Sequence, residues 1–73
     1  MDGFCKLAIE EDDVTYYYDC ENESDNVEML YKRGFSLESA IEIAAWAYIK
    51  PEGSEYDQNE VPGVKIYIVD IPD

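Results

Sequence analysis

The sequence predicts an α+β fold: a small antiparallel sheet of three or four strands with one helix packed on it, in the order ββ(β)αβ. Four segments predict it. Apolar and polar residues nearly alternate from Cys5 to Glu10, and an aromatic-rich run follows from Thr15 to Cys20. Apolar residues recur at helical spacing between Leu37 and Ile49, and an apolar run returns from Val64 to Ile71.

The first two segments form a hairpin. With a turn at Asp12-Asp13, residues whose numbers sum to 25 face each other: Ile9 with Tyr16, Leu7 with Tyr18, Cys5 with Cys20, and Lys6 with Asp19 on the other side. This register collects Cys5, Leu7, Ile9, Tyr16, Tyr18 and Cys20 on one face, and a one-residue slip scatters them. A two-residue type I′ loop prefers Asn-Gly or Asp-Gly, whereas a four-residue loop from Glu11 to Val14 keeps the same pairing without that demand. Opposed strand positions suit a disulfide between Cys5 and Cys20; a reducing compartment leaves them instead as two small core thiols.

From Asn26 to Arg33 a strand turns Val27, Met29 and Tyr31 to one side; the alternative is a helix from Asp25 to Gly34. The expectation is the strand. Ser36 then caps a helix from Leu37 to about Ile49, ended by Pro51, whose core stripe reads Leu37, Ala40, Ile41, Ala44, Ala45 and Tyr48. Trp46 falls on the other side with Glu38, Ser39 and Glu42, either free for a partner or covered by the long loop from Lys50 to Gly63. The last strand is apolar on both faces, with Val64, Ile66 and Ile68 on one and Tyr67, Val69 and Ile71 on the other, as a central strand would be.

Seventy-three residues allow one small acidic domain, residues 1–73, with a modest core. Eighteen acids against five bases and no histidine give a net charge of −13, yet 47% hydrophobic and 14% aromatic content exceeds that of disordered acidic chains. The amino terminus lacks a basic region followed by a long apolar stretch, and no run reaches the ~18 apolar residues of a membrane span, so a soluble cytoplasmic protein is expected. Its charge repels nucleic acid and anionic lipid alike.

Between Lys6 and Lys32 lie nine carboxylates and no base: Glu10, Glu11, Asp12, Asp13, Asp19, Glu21, Glu23, Asp25 and Glu28. Together with Tyr17 and Trp46, whose rings carry a polar group suited to interfaces, they are the candidate partner-binding residues. Without histidine there is no Ser/His or Cys/His pair, the glycines form no phosphate-binding loop, and a domain this small has little room for a pocket holding two tuned carboxyls. An enzyme is not expected, nor a cofactor. Asp19, Glu21, Glu23, Asp25 and Glu28 alternate as calcium ligands do, but Ser24 stands where an EF-hand loop needs glycine and Leu30 where it needs glutamate.

A fixed array of carboxylates can occupy a basic groove built for phosphates, accepting charge-assisted hydrogen bonds from its Arg and Lys. The expected function is therefore inhibition of a basic nucleic-acid-handling protein by occupancy. In small size, acidity and lack of catalytic residues the chain is similar to phage-encoded nucleic-acid mimics, including some anti-restriction and anti-CRISPR proteins, and to acidic immunity proteins of nuclease toxins. The likeness is one of character and is carried by no motif. It implies a nuclease, CRISPR or restriction component as partner. The alternatives are a cytoplasmic homo-oligomer, such as a homodimer, whose acidity serves solubility, or a weak calcium-binding module.

Overall fold

The computed structural model describes residues 4–49 and 53–71, with the side chains of Phe4, Cys5 and Ile71 outside the description. The elements run β1 (Phe4–Glu11), β2 (Val14–Asp19), α1 (Glu23–Lys32), α2 (Leu37–Ile49), β3 (Glu55–Tyr56) and β4 (Val64–Ile71). The four strands form one antiparallel sheet in the order β2-β1-β4-β3. The α+β class is as expected, but the order is ββααββ with two helices in place of one.

The hairpin register follows the alternation. Leu7 pairs with Tyr18, Ile9 with Tyr16 and Lys6 with Asp19. Glu11 pairs with Val14, so the loop is the two-residue one, and Asp12 and Asp13 both take left-handed backbone angles, φ 54° and 65°. Leu7 and Ile9 are wholly buried, and β4 adds Ile68 and Ile66 opposite them on the same face. Tyr18 is half-buried against this core, but Tyr16, expected inside, is 42% exposed. Its strand is the sheet edge, and near the hairpin tip the helical layer leaves its ring uncovered apart from Arg33. Cys20 is buried just beyond β2, while its expected pairing with Cys5 lies outside the described residues.

Asn26 to Arg33 is helical, not extended. Asn26 and Leu30, one turn apart, are both buried, whereas Tyr31 is exposed. The sheet had no vacant interior position to offer, because β1 is flanked by β2 and β4, and β4 by β1 and β3. Glu23 and Asp25 in the first turn suit the positive end of the helix dipole. The buried Asn26 amide donates to the Asp19 carbonyl at 2.8 Å, tying α1 to the end of β2. At the other end Gly34 takes φ +111°, its N–H donates to Tyr31 O and that of Phe35 to Leu30 O. This is a Schellman ending, and Leu30 and Phe35 close it by meeting in the core.

Ser36 caps α2, its Oγ accepting from the Ser39 N–H at 3.2 Å. The buried side of α2 is Ala40, Ile43, Ala44 and Ala47, so the expected stripe is turned toward Ile43 and leaves Leu37, Ile41 and Tyr48 exposed. Three alanines let the helix approach its neighbours closely, and Tyr48 keeps its hydroxyl in water. The same turn carries Trp46 onto the core margin, where Tyr56 of β3 meets it edge-on with ring centres 5.2 Å apart. Trp46 is thus half-buried beneath the loop that carries β3.

From Gly53 onward that loop is held by local bonds. The Gln58 side-chain amide donates to Val61 O and Val64 O and accepts from the Val61 N–H, while Gly53 and Ser54 bond to Ile68 of β4. Both helices pack on the Leu7/Ile9 side of the sheet. On the other side Ala8 is buried between Tyr17 and Tyr67, which oppose it from the two neighbouring strands.

Candidate acidic interface

Eight of the nine carboxylates divide into two groups. Glu10, Glu11, Asp12 and Asp13 surround the hairpin tip, and Asp19, Glu21, Glu23 and Asp25 surround the β2–α1 connection at the other end of β2. Five strand steps of ~3.4 Å separate the groups by about 17 Å. Glu28 lies between them on α1, which runs back beside β2 until Arg33 reaches the tip. The acids therefore follow one edge of the molecule.

Their local roles differ. Asp12, Asp13, Glu21 and Glu23 are exposed. Asp19 Oδ1 accepts the Glu21 N–H at 2.9 Å, and Asp25 accepts the Asn22 side-chain amide at 2.8 Å, so these two shape the turn into α1. Glu10 lies on the bare side of the sheet, within 3.4 Å of the Tyr67 hydroxyl. Glu28 pairs with Lys32 at 3.7 Å on the helix surface, and Glu11 with Arg33 at 2.7 Å.

Arg33 was not singled out by the sequence, where it reads as one more surface base. It joins three elements: Nη1 to Glu11 of β1, Nη2 to the Tyr18 hydroxyl at 3.1 Å, and its guanidinium over the Tyr16 ring at 4.6 Å. Burial opposes its charge, but the Tyr18 hydrogen bond and the Glu11 carboxylate outweigh that and raise its pKa. Arg33 also lines a cleft of about 370 Å³ between α1 and β2, with Tyr18, Asp25, Glu28, Met29 and Lys32. The cleft mixes two cations with two carboxylates, so it favours neither an anion nor a cation. No three thiol or carboxylate side chains among the described residues converge to hold a metal ion.

Glu60, likewise missed, completes the cap of α2 from a distant loop. Its Oε2 accepts the Ser36 N–H at 2.6 Å and its Oε1 the Ser39 hydroxyl at 2.5 Å, the task a glutamate at position 39 would perform in a capping box. These bonds lower its pKa. Burial, and then a hydrogen bond with Glu42, raises that of Tyr56.

Of the two aromatic candidates, Tyr17 is exposed on β2 between the acidic groups. Trp46 stands against β3, at the opposite edge of the sheet. The acids and Tyr17 thus share one edge that does not include Trp46. No helix among the described residues is long and apolar enough to cross a membrane. No family model, curated protein or solved structure matches this chain.

Proposed function

We propose that the protein is a non-catalytic inhibitor that occupies the phosphate-binding surface of a basic nucleic-acid-handling protein in the cytoplasm, presenting the β2 edge in place of a nucleic-acid backbone. The observation that carries this reading is the hairpin tip. Asp12 and Asp13 are adjacent like charges, both exposed and both at positive φ, where Asn-Gly would relieve strain and repulsion together. Local rules broken without local compensation point to a role outside the fold.

The second acidic group supports the same reading. About 17 Å away, it extends the negative edge over a length comparable with several phosphates. Arg33 and Lys32 pair with Glu11 and Glu28 and leave the exposed ends of the edge negative. Nuclease, restriction or CRISPR components have basic surfaces of the required kind.

The test compares two charge-reversed proteins. Asp12, Asp13, Glu21 and Glu23 are changed to Lys in one, and Glu38, Glu42, Glu55 and Asp57 in the other. Basic proteins retained from a lysate and released by salt are assayed for nucleic-acid binding with and without the inhibitor. The first set should abolish competition and the second should not. Equal losses would reduce the edge to mere net charge, and absence of competition by the unaltered protein would overturn the reading.

A further inference from the structure

One flank of α2, beside its buried side, is apolar and left uncovered by the described residues. Leu37, Ile41, Tyr48 and Ile49 are 55%, 50%, 59% and 71% exposed. Leu37, Ile41 and Tyr48 stand at helical positions i, i+4 and i+11, with the half-buried Ala45 at i+8, so they form one stripe along the helix. A helix that packs one apolar side on its own core ordinarily carries polar residues over the rest of its surface; here Glu38, Ser39 and Glu42 take only part of it, and the flank beside the buried side is apolar. On α1, which packs against α2, Tyr31 is likewise 59% exposed and lies outside the cleft that α1 forms with β2.

We propose that this stripe docks an amphipathic helix of a partner protein, apolar on one face and rich in Lys or Arg along its flanks. The dimensions fit one helix: thirteen residues span about 20 Å, and the strip is about one helix diameter wide. A second copy of this chain is the poorer occupant. A strip about 20 Å long and one helix diameter wide is roughly 200 Å², so a stable dimer, which needs ~800 Å² per partner, would require further surface that this flank does not supply. Pairing two copies also brings together two chains of net charge −13, with Glu38 and Glu42 bordering the stripe on each. The same charges attract basic flanks. The proposal goes beyond the inhibitor reading and uses a different surface.

The probe is a fluorescent synthetic peptide of about 18 residues, made of Leu and Lys with Leu at helical spacing, set against a scrambled peptide of identical composition. At near-physiological salt the ordered peptide should bind at least about tenfold more tightly than the scrambled one. Leu37→Ser with Ile41→Ser should remove that preference while circular dichroism stays unchanged; Tyr48→Ser with Ile49→Ser serves if the first pair disturbs the fold. Reversing Asp12, Asp13, Glu21 and Glu23 should weaken both peptides alike and keep the preference, which separates this site from the hairpin edge. Equal binding of both peptides, or an unaltered preference in the folded serine variants, overturns the proposal. So does sedimentation that shows a dimer of the protein alone, dispersed by the same serines, since the occupant is then a second copy.

Discussion

Arg33, the residue at which α1 ends, places its Nη1 2.7 Å from Oε1 of Glu11, the last residue of β1. One charge-assisted bond thus joins the helix C-terminus to the base of the hairpin tip and holds the tip relative to the helical layer. The Arg33 side chain is 17% exposed and that of Glu11 41%, so water screens the pair incompletely.

Arg33→Met should lower stability by ~1.5 to 3 kcal/mol, the scale of hydrogen bonds to charged groups, because it removes the bonds to Glu11 and Tyr18 together. Glu11→Gln should cost ~1 kcal/mol or less, since Tyr18 and Tyr16 still hold the guanidinium. Urea unfolding of both variants checks the order, and a larger loss for Glu11→Gln would contradict it.

Glu60 gives stability a dependence on pH. Its pKa in the folded chain lies below the ordinary 4.5, so its contribution is complete above that value and is lost as pH falls through the folded value. The melting temperature of the native protein should exceed that of Glu60→Gln at neutral pH, and the gap should close in acid. The difference between the two proteins cancels the relief of net repulsion that acid brings to both. Ser36→Ala, which removes the other half of the cap, should cost ~1 kcal/mol.

Asp13→Gly should stabilise the hairpin by ~1 kcal/mol, because glycine takes a positive φ without the Cβ clash. Asp13→Asn removes the charge and keeps the Cβ, so comparing the two in calorimetry separates strain from repulsion. If the tip serves binding, the stabler glycine variant will also be the poorer inhibitor.

Trp46→Ala should cost ~2 kcal/mol, less than the ~3 to 5 kcal/mol of a fully buried tryptophan and more than a surface change. The loss combines contact with the core margin and the edge-on contact with Tyr56. Tyr56→Ala should reproduce part of it, and the double variant should fall short of the sum of the two; additive losses would show the rings to be uncoupled.

Salt should raise the melting temperature. Thirteen net negative charges lie on a chain of radius of gyration 11.4 Å, near the ~8 Å Debye length at physiological ionic strength. Most of the rise should come between ~0.01 and ~0.15 M sodium chloride, where that length shortens most. A flat profile would mean that local pairs, such as Glu11 with Arg33, govern the electrostatics.

Features with local causes are legible in the amino-acid order. Alternation of Leu7 and Ile9 against Tyr16 and Tyr18 admits one hairpin register, because a slip of one residue turns every side chain over. Ser36 three residues before Ser39 is a cap within a single turn. The apolar residues on both sides of Val64–Ile71 belong to a strand flanked on each edge.

The remaining features depend on partners distant in the chain and emerge only on folding. Val27, Met29 and Tyr31 fit a strand as well as a helix until β4 and β3 complete the sheet and leave α1 to pack upon it. Ile43, not Ile41, meets the core because close approach through Ala40, Ala44 and Ala47 sets the rotation of α2. Glu60 and Arg33 look like ordinary surface charges in sequence. They become a cap and a tie because folding brings them to residues 24 and 22 positions away, where a lone N–H and a lone carboxylate await a partner.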